Sequence, residues 1–461
     1  MQERGVKIFW PAIPDKEDIL PEIEELLWPK DGSRPFVGEG SLVERFEQEC
    51  MKKFGFDYVL FTNSGTSAMD LALLTSRIKA GDEIITSPMT CTATNTPLLI
   101  RQAKLVFVDV EYDTANVDAK KVEEKITEKT KAIVVVHWGG YPCEMDEINE
   151  VARKHNLPII ADGAHALGAT YKGKPISKTA DFTIFSLQAI KQMTTIDGGL
   201  LAISFNNSKE ELIKASQNPK NREILRDLYG RKVNEHFNNN LEVDDVPEDY
   251  FVEEIFERIK ERKSEFDIEW FEVFTKDYKE FKKFWFDWQR AESARRRRWF
   301  GIGREERIPN PKKGYSAYHT YEHGGKFQSN NFNAIIGLAS LKKFDEWKEK
   351  RRRIAEKYNS ELRNIPGVKI FRNDNDRQSG NWLYNLNVER RGDFVTMMEY
   401  RGIECSVVHE RNDVLPIFRK HCDGECPNLA KLNEDRVCIP LHQNLTDEDV
   451  EYIIYCIRKG W

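Results

Sequence analysis

The sequence predicts an α/β protein with a large, mostly parallel central sheet, a mostly helical insertion and a smaller α+β domain at its C-terminal end. Three observations carry this. Between about 57 and 205, short apolar runs (YVLFT, EIITS, KLVFVDV, AIVVVHW, LPIIADGA, DFTIFS, GGLLAIS) alternate with amphipathic stretches such as SAMDLALLTSRIKA and EINEVARKHN. Several of these runs are apolar without alternation, as strands covered by helices on both faces are. From 207 the pattern gives way to a polar, asparagine-rich segment and then an aromatic, charged helical one. The tail returns to a long helix, the strand-like WLYNLNV, helical DFVTMMEYRG and a closing helix in TDEDVEYIIYCIRKGW. The expected division is 1–206 for an N-terminal segment and the large domain, 207–293 for the insertion, and 294–461 for the C-terminal part.

Length and charge agree with this layout. A chain of 461 residues exceeds what one hydrophobic core usually covers. Its net charge of −6 comes from 70 basic and 76 acidic residues, a balance that argues against a nucleic-acid partner with a broad basic footprint. The N-terminal stretch has no apolar run of signal-peptide length, and no segment approaches the ~20 apolar residues that span a bilayer. The expectation is a soluble, cytoplasmic protein with no membrane partner. The eight scattered cysteines point to reduced thiols, and HCDGEC at 421–426 reads as a polar loop with no metal. RRRR at 295–298 reads as a solvated helix face.

Ligands of such sheets bind where loops leave the carboxyl ends of the strands, and three loops there carry chemistry. NSGTSA at 63–68 can turn a helix N-terminus and the hydroxyls of Thr66 and Ser67 toward an anion, or can simply cap the helix. Asp162 leaves the strand LPIIA directly, with His165 close behind; a buried carboxylate there needs a cationic partner, such as a protonated ring nitrogen, or serves as a turn residue. Lys191, in DFTIFSLQAIKQMTTIDGG, follows a strand in apolar surroundings that lower an amine's pKa and free it for Schiff-base chemistry. An anion cup, a carboxylate for a ring nitrogen and such a lysine are together the parts needed to hold pyridoxal phosphate.

In these blocks, and in GDEIITSP, VVVHWGGYPCEMDEI, WFGI and IPLHQNLTDEDVEYII, the sequence resembles the DegT/DnrJ/StrS family of sugar aminotransferases, fold-type I enzymes dependent on pyridoxal 5′-phosphate. The resemblance covers roughly 1–205 and 295–461. It implies that Lys191 bonds the cofactor covalently and shuttles the proton, that Asp162 pairs with the ring nitrogen, and that His165 lies by the ring hydroxyl. It also implies that Ser186 joins Gly65, Thr66 and Ser67 at the phosphate. GGKFQSNNFNAIIGL at 324–338 stands where the family reaches into a partner's site, so the resemblance implies a homodimer, with Lys326 and Asn330 as the cofactor-binding candidates there. The implied reaction moves an amino group, from glutamate as the family suggests, to a nucleotide-linked keto-sugar in polysaccharide or natural-product biosynthesis.

Two departures stand out. The loop that supplies a ring-stacking aromatic in many members reads SPMTCTATN and offers Met89, Thr90, Cys91 and Thr92, so stacking is unassigned. The residue opening the turn before the glycine pair is Ile196, which is expected to alter that turn's backbone. A sugar dehydratase of the same family carries histidine where Lys191 stands, and a non-catalytic regulator that binds pyridoxal phosphate is the other alternative. In the insertion, Phe266, Trp270, Phe274, Tyr278, Phe281, Trp285 and Trp288 recur at steps of three and four, predicting one face of a single long helix that either packs on its own domain or roofs the site.

Overall fold

The computed structural model describes residues 5–33, 37–206, 208–237, 252–302, 308–310, 315–317, 320, 322–421 and 426–461. Two compact units divide the chain: one of Met1–Asp70, Ile78–Ala202 and Ser329–Trp461, the other of Leu71–Arg77 and Ile203–Gln328. No described helix is long and apolar enough to cross a membrane. The centre of HCDGEC, 422–425, lies outside the described residues.

The first unit is α/β. Strands β1 (Tyr58–Thr62), β2 (Glu83–Thr86), β3 (Lys104–Phe107), β4 (Thr130–Val136), β5 (Ile159–Asp162), β6 (Phe182–Ser186) and β7 (Gly199–Ile203) form one sheet in the order β1-β7-β6-β5-β4-β2-β3. The pairings β2 with β3, β2 with β4, β4 with β5 and β5 with β6 are parallel. β-Branched and aromatic residues together dominate these runs, and all but a few side chains of β1, β4, β5 and β6 are buried, which requires cover on both faces. Helix Met145–His155 shows how that cover is specified: Met145, Ile148, Val151 and Ala152 form its buried stripe. Acids fill its first turn, Arg153, Lys154 and His155 its last, and Asn156 ends it in the left-handed conformation. Register sets the functional edge, since Val136 pairs with Asp162 and Asp162 with Ile184, so that β4, β5 and β6 finish side by side.

Two shorter helices and one long one frame that edge: α1 (Gly65–Thr75), α2 (Thr92–Ile100) and α3 (Asn331–Leu362). α3 packs its first half on helix Ser41–Phe54, where a Cβ on Gly337 would meet the Phe46 ring at 2.6 Å. Its second half contributes Tyr358 and Leu362 to a separate apolar core, shared with a small antiparallel sheet (Val368–Ile370, Tyr384–Val388, Arg436–Ile439) and helix Asp447–Arg458. That last helix opens with a capping box between Thr446 and Asp449.

The second unit is largely helical among its described residues, with helices Glu210–Gln217, Pro219–Phe237, Val252–Glu261, Ile268–Thr275 and Tyr278–Arg297. The single long helix expected over the aromatic repeat is instead two, because Asp277 takes an extended conformation and its carboxylate accepts the N–H groups of Lys279 and Glu280. Periodicity survives the break, and Phe274, Phe281, Trp285 and Trp288 are fully or almost fully buried. Their cover comes from the same unit: Phe256 lies against Tyr278 and Phe281, and Tyr229 against Trp285 and Trp288. The arginine run is also not a solvated face. Arg296, Arg297 and Arg298 are buried, with Arg296 donating to Glu322 at 2.6 Å and Arg226 and Arg295 holding Glu292. Burial pushes the Glu292 carboxyl up, but the Arg226 and Arg295 guanidiniums outweigh it and hold it well below the usual carboxylate range.

Candidate active site

Lys191 lies in the loop between β6 and β7, and that loop is held by its own bonds and by α3. Leu187 and Gly198 close its neck with an N–H···O bond of 2.8 Å, and Thr194 donates to the Leu187 carbonyl at 3.0 Å. From α3, Ser340 donates to the Thr194 carbonyl, Asn333 to that of Asp197, and buried Arg351 to that of Gln192. A loop anchored this way places one amine reproducibly. Ile196 sits in this turn at φ 71°, a region that costs a β-branched residue free energy, so the departure noted in sequence appears here as backbone strain.

Asp162 ends β5 with its side chain buried. Its two oxygens accept from the Thr94 hydroxyl at 2.6 Å and the Ala164 N–H at 2.9 Å, leaving lone pairs for one further donor. Burial raises its pKa, against the opposing pull of Thr94, Ala164 and the Lys191 charge. Lys191 answers in kind: burial lowers its amine to about 8, while Asp162 and Cys91 work the other way. The two groups therefore face one environment.

His165 is buried, and its Nδ1 finds no partner among the described residues. Burial, then the Lys191 and His409 charges, hold it well below the usual imidazole range, so it stands neutral. Its ring stacks on Trp382 at 3.8 Å and 18°, with Trp138 edge-on at 5.6 Å. Gln192, next to the lysine, donates to the His165 carbonyl. Close backbone packing holds this corner together, for a Cβ on Gly140 would stand 2.5 Å from the same carbonyl.

At the other end, the N-terminus of α1 meets the end of β6. A Cβ on Gly65 would come within 3.1 Å of the Ser186 Cβ, tighter than ordinary packing, so glycine lets the first-turn N–H groups approach that hydroxyl without pushing it aside. Thr66 is exposed there. Ser67 is occupied locally: its N–H donates to Ser64 Oγ at 3.0 Å and its hydroxyl to Asn63, which is the capping alternative realised. Asn330 likewise caps α3, accepting the Asn333 N–H at 2.9 Å. Lys326 belongs to the second unit, where its backbone bridges Trp299.

These residues fit pyridoxal phosphate. The unpartnered Nδ1 of His165 suits a ring hydroxyl, the remaining lone pairs of Asp162 suit a protonated ring nitrogen, and the Gly65–Ser186 cradle suits a phosphate. Of the four side chains weighed for ring stacking, Met89 is buried in an apolar cluster with Val110 and Trp138, and Thr90 is hydrogen-bonded to Thr94. Cys91, half-exposed at the N-cap of α2, acts on the lysine amine. Sequence reasoning missed Thr94, Trp382 and His409. Thr94 follows the cysteine by three residues on α2 and could have been sought there, whereas nothing in SGNWLY marks Trp382.

A family model described as the DegT/DnrJ/EryC1/StrS aminotransferase family matches residues 18–245 and 287–458. The chain is 27% identical to the spore coat polysaccharide biosynthesis protein SpsC of Bacillus subtilis, over 92% of this chain and 90% of that one. It is 39% identical to the UDP-4-amino-4,6-dideoxy-N-acetyl-beta-L-altrosamine transaminase of Campylobacter jejuni over 38% of this chain and 46% of that one. The crystal structure of the sugar aminotransferase CalS13 from Micromonospora echinospora superimposes with a TM-score of 0.74 at 25% identity, covering 99% of this chain and all 100% of that one.

Proposed function

The chain belongs to the DegT/DnrJ/EryC1/StrS aminotransferase family and is a pyridoxal-phosphate-dependent aminotransferase, and from this we propose that it transfers an amino group from glutamate to a keto-sugar carried on a nucleotide. The single observation that supports a working site is the buried Lys191 amine in the loop after β6, with buried Asp162 at the end of the neighbouring strand β5. The names of the relatives, a nucleotide-sugar transaminase and a polysaccharide biosynthesis protein among them, support the substrate class and a place in surface-polysaccharide assembly.

Bound pyridoxal phosphate supplies a carbonyl that takes up an amine and a ring that accepts an electron pair from a substrate carbon. The chain's residues do the rest. Gly65, Thr66 and Ser186 hold the phosphate, with Ser67 shaping the turn. Asp162 keeps the ring nitrogen protonated, and His165 Nδ1 orients the ring hydroxyl. Lys191 Nζ would anchor the cofactor, and its free amine would act as base and acid in turn, taking the proton from the donor's carbon and handing it on in one half-reaction, and delivering one to the sugar carbon in the other. An amine near 8 has both protonation states available close to neutral pH, which suits a group that must do both. The reading includes a homodimer in which the 324–338 segment, with Lys326 and Asn330, completes the partner's site, and a cytoplasmic enzyme.

The test is purified, cofactor-loaded protein with glutamate and a panel of nucleotide keto-sugars, read by mass spectrometry. Amination of at least one nucleotide sugar is expected. Amination of free keto acids alone, with no nucleotide sugar aminated, would overturn the substrate class.

A further inference from the structure

The tryptophan that sequence reasoning passed over touches the lysine amine and the backbone just before it. Residues 380–382 run beside Gly139 and Gly140, with the Gly380 N–H donating to the Gly140 carbonyl at 2.9 Å and the Trp382 N–H to the Gly139 carbonyl at 3.1 Å. This sets the indole of Trp382, which is buried and stacked on His165. Its Nε1–H donates at 2.8 Å to the carbonyl of Ile190, the residue before the lysine, and Lys191 Nζ lies 3.7 Å from the ring centroid.

We propose that Trp382 is a positioning residue for Lys191, its indole N–H fixing the backbone that carries the lysine and its π face holding the free ammonium at the site. This rests on the reading of Lys191 as the cofactor-bearing residue. The physical case is that a buried ammonium has lost its water, and an indole face supplies compensating negative potential without a second charge. The groups around the amine do not suffice alone. Asp162 from β5 and Cys91 from the N-cap of α2 favour the charged form, while His165 and His409 offer it no anion, both being held neutral by burial. A lysine cut loose from its cofactor in each half-reaction must wait in place to return the proton, and a π face retains it through van der Waals contact and electrostatics without a hydrogen bond that must break.

The experiment measures Lys191 reactivity in the full chain freed of cofactor, by competitive acylation against pH and peptide mass spectrometry, for wild type, Trp382→Phe and Trp382→Leu. A phenyl face binds a cation more weakly than indole, and leucine lacks one. The labelling midpoint is therefore expected to fall in the order Trp, Phe, Leu, by roughly half a unit or more for leucine. The rate of cofactor capture should fall about tenfold with it, as expected when a reacting group loses its orientation. Equal midpoints in all three proteins, with unchanged melting, overturn the proposal. Should the leucine variant not fold, phenylalanine decides: a midpoint at or above wild type overturns it. Borohydride trapping of cofactor on a peptide other than that of Lys191 would defeat the functional reading instead, and the labelling midpoints do not depend on that result.

Discussion

The hydroxyl of Thr94 donates a hydrogen bond of 2.6 Å to the Oδ2 of Asp162, joining the first turn of α2 to the end of β5. Without it the buried carboxylate loses one of its two hydrogen-bond donors, Thr94 and the Ala164 N–H, and its pKa, already raised by burial, climbs further. Thr94→Val keeps the shape and removes the donor. A bond to a charged acceptor contributes about 1.5–3 kcal/mol, so turnover with glutamate should drop by roughly ten- to a hundredfold. Single-turnover rates at neutral pH check this, and a wild-type rate would sink it.

Lys191 is expected to carry the cofactor. Borohydride reduction of the yellow protein should fix the cofactor on the peptide containing Lys191, and Lys191→Ala should lose both adduct and turnover. Asp162→Ala and Asp162→Asn should each lower turnover by orders of magnitude, because both remove the charge opposite the ring nitrogen.

The same lysine makes the cofactor-free protein sensitive to pH. Its folded pKa of about 8 lies below the ordinary 10.5, so the unfolded chain binds more protons between those values. Stability rises as pH climbs through that window and is lost as pH falls back through it, by at most about 3 kcal/mol. Lys191→Met should remove this part of the rise. Denaturant midpoints of the two cofactor-free proteins at about pH 7.5 and 9.5 would expose an equal gain, which would falsify the assignment of the shift to this group.

Ile196 holds a positive φ that glycine enters freely. Ile196→Gly should relieve strain of about 1 kcal/mol, partly offset by the greater freedom of an unfolded glycine. Ile196→Val should gain nothing, since it is as β-branched as isoleucine. A glycine variant less stable than wild type in urea would show that the side chain contributes more than the strain costs.

In the second unit, Phe274 is fully buried against Phe266, Phe281 and Phe284. Phe274→Ala should cost about 3–5 kcal/mol. Because that face is covered within its own unit, any loss of activity should fall equally on the glutamate and sugar half-reactions. A selective loss with the sugar would instead favour a role in shaping the sugar pocket.

The sequence by itself determined which of the candidate site residues share the carboxyl edge of the sheet. Asp162, Ser186 and the Gly65 turn each follow an apolar run directly, and parallel pairing of such runs puts their ends on one edge, so local pattern sufficed. Periodicity likewise marked the aromatic face of the insertion, because burial at steps of three and four is a property of a helix alone. Only the tertiary structure decided what surrounds those groups. Trp382 and Arg351 reach the lysine loop across 192 and 159 residues, through packing that no local pattern encodes. Arginines at 295–298 look alike in sequence whether water or Glu292 and Glu322 compensates them, and the fold chose the carboxylates. The cap at Asp277 is legible as a residue type, but whether it breaks a helix depends on competing packing of Phe274 and Phe281, which only the assembled core settles. Strand ends follow from short-range preference, whereas the pKa of a buried amine depends on every group within a few ångströms of it, and those come from anywhere in the chain.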